Sequence, residues 1–114
     1  MIKLNGTSPE MIANNLRPFE PTHPGELIKD ELEVRHLTQA SLAESIGVRP
    51  SVINEIIKGK RGVNTEMALM LEAALDIPAE MLLSLQSDYN MQIAKADSSF
   101  MRRLSLIRKI AAAL

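Results

Sequence analysis

The chain has no cysteine and no tryptophan, and carries only one tyrosine and two phenylalanines. Without thiols, disulfide scaffolds and thiolate metal sites are excluded, and a reducing compartment is compatible. With so few rings, the core has to be built of Leu, Ile, Met and Ala, as in helical proteins. No apolar run approaches the ~20 residues that span a membrane, and Lys3 is not followed by the apolar stretch of a signal peptide. Charge of one sign is also lacking: 13 basic against 14 acidic residues leave a formal charge of −1. Bulk composition therefore gives no support for a nucleic-acid partner, and only the distribution of charge can supply it. A length of 114 residues suits one small domain with arms or tails, and the expected location is the cytoplasm.

What is present is concentrated in residues 38–61. Thr38 is a good N-cap, since its hydroxyl can accept a backbone N–H that a helix start leaves unpaired. Leu42, Ala43 and Ile46 follow at helical spacing, and Gly47 is suited to the left-handed turn that ends a helix. Pro50 fits the first position of a second helix, where its missing N–H is harmless. There Val52, Ile53, Ile56 and Ile57 supply a buried stripe, leaving Arg49, Ser51, Asn54, Glu55 and Lys58 to solvent. Two helices joined by such a turn form a helix-turn-helix, whose second helix enters the DNA major groove.

The remaining sequence predicts further helices and no strand. A first helix begins at His23-Pro24-Gly25-Glu26, with His23 as cap, and ends near His36; Leu27, Ile28, Leu32 and Val34 are its inward candidates. Asn64 caps a helix over Thr65–Leu75 whose inner face is Ala68, Leu71, Ala74 and Leu75, flanked by Met67 or Met70. After the Asp76-Ile77-Pro78 break, a fifth helix from Ala79 to about Ala96 sets Leu82, Leu85, Tyr89 and Ile93 in one row, the row assigned to dimerisation. The division is an N-terminal arm at 1–21, a helix-turn-helix domain at 22–97 and a basic amphipathic helix at 98–114. Pro9–Leu16 is a short helix or part of an extended arm. In the last segment Phe100, Leu104, Ile107, Ile110, Ala111 and Leu114 form a stripe away from Arg102, Arg103, Arg108 and Lys109. Such a tail packs on its own domain or a second copy, binds a partner, or lies on a membrane.

The chain is electrically polarised. Arg49 to Arg61 holds four basic residues and one acid, Glu55, whereas Glu26, Asp30, Glu31 and Glu33 make the first helix acidic. Side chains near the start of the second hairpin helix reach deepest into a groove, so Arg49, Pro50, Ser51, Asn54 and Glu55 are the base-reading candidates. Arg49 matches guanine O6 and N7, or equally a phosphate; Asn54 matches adenine; Pro50 suits a thymine methyl; Glu55 reads cytosine N4 or is simply exposed. Thr38, Gln39, Lys58, Lys60 and Arg61 are assigned to phosphate, with solvated loop charge the alternative for Lys60 and Arg61. Catalysis finds no constellation: His23 and His36 stand at opposite ends of one helix, and no glycine-rich phosphate loop or nucleophile elbow occurs. No cofactor or metal is expected.

The hairpin resembles that of the phage-repressor (Cro/C1, or XRE) class, and residues 21–94 are similar to HigA-type antitoxins, the plasmid-maintenance antidote or virulence-associated proteins. The resemblance is carried by Pro21-Thr22-His23-Pro24-Gly25-Glu26, Leu42-Ala43-Glu44-Ser45-Ile46-Gly47-Val48, Gly59-Lys60-Arg61, Asn64-Thr65-Glu66-Met67-Ala68-Leu69 and Leu85-Gln86-Ser87-Asp88-Tyr89-Asn90-Met91. Departures are Met81 and Leu82 in place of an aromatic pair, Thr65 where Pro is frequent, and Asn90 where Asp is frequent. The resemblance implies a five-helix all-α bundle, here with an extra C-terminal helix. It also implies a dimeric autorepressor that binds an inverted repeat and neutralises a RelE-like ribonuclease toxin. The alternatives are a stand-alone XRE-type regulator, or an interaction module that no longer reads DNA.

Overall fold

Short side chains that satisfy backbone groups set the helix boundaries in this protein, as a computed structural model describing residues 22–114 shows. The first helix, α1 (Pro24–Arg35), starts where His23 Nδ1 accepts from the Gly25 amide at 2.9 Å, and ends on left-handed His36. α2 (Gln39–Ile46) starts on a reciprocal box in which Thr38 Oγ1 accepts from Ser41 N and Ser41 Oγ accepts from Thr38 N. It stops at Gly47, φ 77°. α3 (Pro50–Ile57) is entered through extended Arg49 and left through Lys58 and left-handed Gly59. Asn64 Oδ1 caps α4 (Thr65–Leu75) by accepting from Met67 N at 2.8 Å. α5 (Ala79–Ala96) follows Pro78, and Asp97 both ends it and caps α6 (Ser98–Ala112).

The described residues are thus all helix and connection. α1–α5 close around Ile28, Leu32, Leu42, Ala43, Ile53, Ile56, Val63, Met67, Ala68, Leu71, Leu75, Ile77, Ala79 and Leu82. Every one is aliphatic or Met, as the shortage of rings requires. Three expectations change. Val34 points outward, 75% exposed, because it stands two residues after buried Leu32 and so on the opposite side of α1. Ile77, which read as part of a chain break, is a core residue, as is Val63 before α4, and each pins its connection to the bundle. Leu82 is completely buried within the protomer, filling the space where an aromatic was expected, and so offers nothing to a second copy. The expected arm at 1–21 and the Pro9–Leu16 helix lie outside the described residues. α6 packs against α5 and has no buried residue; Met101 and Leu104 are half-buried, while Phe100, Ile107, Ile110 and Leu114 are exposed. No helix among the described residues is long and apolar enough to cross a membrane.

Two contacts hold α1 in the bundle, one to the hairpin and one to α4. At Gly25 the α1 backbone lies so close to α3 that an added Cβ would fall 2.0 Å from the Ile56 carbonyl oxygen and 2.9 Å from Ile57 Cα. At the other end of α1, Arg35 donates from Nη2 to the Leu75 carbonyl at 2.6 Å, capping α4, while its Nε bonds Glu31 at 2.8 Å.

The Gly25 contact predicts that Gly25→Ala destabilises the fold by about 3 kcal/mol, because backbone has to move; a urea titration beside wild type measures it. His23 generates a second prediction. It is buried, 5% exposed, and burial holds its pKa below 6.5 against the opposing pull of Glu26 and of the Arg61 carbonyl. Nδ1 is also occupied as an acceptor, which protonation abolishes. The unfolded chain takes up a proton near pH 6.5 and the native state does not. His23 therefore withholds no stability above that pH, and stability drains away as pH falls below it. Melting temperatures should drop between pH 7.5 and 5.5 in wild type. His23→Asn, which keeps a capping oxygen, should show a smaller drop across the same window.

Candidate nucleic-acid interface

The hairpin is held rigid by its apolar side, and that frees its polar side. Ala43, with no exposed surface, lets α2 and α3 cross closely, and Leu42, Ile53 and Ile56 fill the space around the crossing. In the turn, Gly47 N and Val48 N bond the Glu44 and Ala43 carbonyls at 3.3 and 3.0 Å, which fixes the angle between the two helices. α3 spans eight residues, too few to persist as an isolated helix. Its orientation is set by what it sits on.

Among the base-reading candidates, Arg49, Pro50 and Ser51 stand exposed at the start of α3, and Asn54 and Glu55 are half-buried one turn further. Arg49 occupies the cap position without using its side chain for capping, so the guanidinium remains free to fork onto a ligand. Asn54 is not an independent reader. Its Nδ2 donates to Gln39 Oε1 at 3.1 Å, joining a base candidate to a phosphate candidate across the hairpin. The pair presents the remaining Asn54 oxygen and Gln39 NH2 group, one acceptor beside a donor.

Glu55 and Arg61 are likewise paired. Glu55 Oε1 receives Arg61 Nε at 2.8 Å and Nη2 at 2.7 Å, at exposed positions. This pairing withdraws Arg61 from the free basic edge and screens the acid that faced the groove. Arg49, Lys58 and Lys60 remain exposed, with no ion-pair partner among the described residues. Thr38 is exposed and keeps its hydroxyl proton for an acceptor, while its oxygen serves Ser41 N. The assigned residues of α2, α3 and the following loop thus share one connected hairpin, a polar and cationic surface suited to a duplex.

The row assigned to dimerisation divides. Leu82 is core, Leu85 and Tyr89 are half-buried, and Ile93 is 48% exposed. Tyr89 sets its ring edge-on to His23, centroids 4.8 Å apart and planes at 85°.

Sequence reasoning missed two further residues. Ser41 completes the capping box in place of the usual Glu or Gln, so its spacing from Thr38 was the available signal. Gln86 lay in plain view within the Leu-Gln…Tyr signature, yet its partner, the Val63 amide at 2.8 Å, is 23 residues away.

Comparison with known proteins places this geometry. A family model described as Helix-turn-helix (HTH_3) matches residues 28–82. The chain is 36% identical over 76 residues to virulence-associated protein I of Dichelobacter nodosus, covering 66% of this chain and 70% of that protein. Among solved structures it is similar to an antidote protein of a plasmid maintenance system from Nostoc punctiforme, with 30% identity and a TM-score of 0.67 over 75% of this chain and 94% of that one. It is also similar to the Pseudomonas aeruginosa antitoxin HigA with the higBA promoter, with 31% identity, a TM-score of 0.64, and coverage of 75% and 91%. The chain belongs to the HigA-type plasmid-maintenance antitoxins, a DNA-binding branch of the XRE helix-turn-helix family.

Proposed function

We propose that this protein is the antitoxin of a type II toxin–antitoxin module, neutralising a RelE-like ribonuclease toxin and, as a dimer, repressing its own operon. The observation that carries the reading is the exposed start of α3. Arg49, Pro50 and Ser51 are held out by a rigid hairpin and flanked by Lys58 and Lys60, which have no ion-pair partner among the described residues. A surface of that kind fits a major groove, with phosphate contacts from Thr38, Gln39, Lys58 and Lys60 positioning it and Arg49, Ser51 and the Gln39–Asn54 pair reading bases. The similarity to a HigA solved with promoter DNA supports the same mode. Two copies of α3 about 34 Å apart match an inverted repeat. The half-buried and exposed members of the α5 row, Leu85, Tyr89 and Ile93, are the residues for the second copy. The protein acts by binding, without catalysis, in the cytoplasm where its operon is transcribed.

Fluorescence anisotropy with DNA from upstream of its own operon should show tight, salt-dependent binding that exceeds binding to scrambled DNA. Arg49→Ala with Asn54→Ala should lose roughly 1–3 kcal/mol per base contact and relax the sequence preference. Weak binding indifferent to sequence would overturn the repressor half of the reading. The antitoxin half predicts that co-expression restores growth to cells producing the small basic protein encoded beside it. Continued arrest, with this protein folded and abundant, would remove it.

A further inference from the structure

We infer that Gln86 on α5 is a positioning residue for DNA binding: with His23 and Tyr89 it clamps the loop after α3 so that Lys60 meets the phosphate backbone. This rests on the phosphate role proposed for Lys60. The loop from Lys58 to Asn64 leaves α3 through Gly59, φ 76°, and is gripped from several sides. Lys60 N and Arg61 N both bond the Glu55 carbonyl, at 2.8 and 3.2 Å. The His23 ring lies against the loop, 3.8 Å from where a Cβ on Gly59 would stand, and is itself braced edge-to-face by Tyr89. The Val63 amide donates to Gln86 Oε1 at 2.8 Å, and Gln86 Nε2 donates onward to Asn90 Oδ1 at 3.0 Å, which fixes the amide head.

Three of these grips come from outside the hairpin, and they are the two signature segments at opposite ends of the domain, His-Pro-Gly-Glu and Leu-Gln…Tyr. They meet around one cleft of about 400 Å³ between the loop and α5, lined by His23, Lys60, Gly62, Val63, Gln86 and Tyr89 among others. Gly62 permits the approach, since a Cβ there would sit 3.3 Å from Gln86 Cδ and Oε1. Val63 is itself buried, so its amide needs a protein partner, and Gln86 is that partner. A lysine on a fixed backbone loses less freedom on reaching phosphate than one on a loop that has to be ordered at the same time. The clamp supplies that fixed backbone without touching DNA.

The test is a double-mutant cycle on the full chain, using Gln86→Met and Lys60→Ala with operator and scrambled DNA over a range of salt. Gln86→Met keeps length but removes the acceptor. Gln86 stands on the half-buried face of α5 rather than in the core, and a circular-dichroism melt verifies that the variant is folded at the assay temperature. The expected result is an equal fold-loss of affinity on both DNAs and a salt slope shallower by about one unit. Neither effect should increase when Lys60→Ala is already present. An unchanged slope in Gln86→Met would overturn the inference, as would the same fold-loss recurring in the Lys60→Ala background. Lys60→Ala alone reports on the underlying reading: if its slope equals that of wild type, Lys60 is not at phosphate and Gln86 places nothing.

Discussion

The rest of the structure depends on the backbone contact between Gly25 and the end of α3. A helix of eight residues cannot hold its own direction, and α3 is seated at its crossing with α2 by Ala43 and at its C-terminal end by Gly25. Both positions work because little or no side chain stands there: Ala43 has no exposed surface, and no Cβ fits at Gly25. His23 and Pro24 serve the same contact. The proline starts α1 without an amide to satisfy, and the histidine turns its Nδ1 onto the Gly25 amide, closing the helix end that presses on α3. The angle at which Arg49 and Ser51 leave the surface is therefore decided some distance away, where α1 begins.

What the sequence made legible was whatever is governed locally. His23, Thr38, Gly47, Pro50 and Asn64 act on backbone groups within a few residues of themselves, so the helix boundaries at those positions followed from known spacings. The illegible features depend on residues brought together by folding. A row of apolar residues on α5 has a period but no label for its neighbours, so nothing separated buried Leu82 from exposed Ile93. Val34 falls seven residues after half-buried Leu27 and so fits a period of α1, yet it stays exposed while Leu32 faces the core. Glu55 and Arg61 meet across a turn, Gln39 and Asn54 across the hairpin, and Gln86 and Val63 across the domain. Residue types alone mark five of these six as polar and Val63 as apolar, and none of them names its partner; pairing is what changed their meaning.

That pairing also sharpens the electrostatics. A formal charge of −1 forbids a long-range attraction of the whole molecule to DNA, so any attraction has to be short-ranged and directional. An exposed ion pair contributes little to stability, and the Glu55–Arg61 pair has a different consequence. It cancels the one acid on the reading edge, where an unpaired carboxylate would repel phosphate within the ~8 Å over which charges act at physiological salt. Arg49, Lys58 and Lys60 are left without an ion-pair partner among the described residues, so in the proposed DNA complex they would act undiminished, while the acids of α1 lie on a separate helix. Local cancellation achieves what the overall composition does not.

Burial along α5 resolves how one helix can serve two tasks. Ala79 and Leu82 at its start are core, Leu85, Gln86 and Tyr89 in the middle are half-buried, and Met91 and Ile93 near its end are exposed. The helix leaves the bundle as it proceeds, and α6 continues from its far end with Phe100, Ile107 and Ile110 uncovered. In the proposed dimer the second copy would meet Leu85, Tyr89 and Ile93, whose surface emerges as α5 leaves the bundle, and α3 would be left to the duplex. The middle turn also carries Gln86, which bonds the loop that follows α3. A helix that is core at one end and free at the other would thus connect the proposed dimer surface to the proposed DNA surface through a single polar turn.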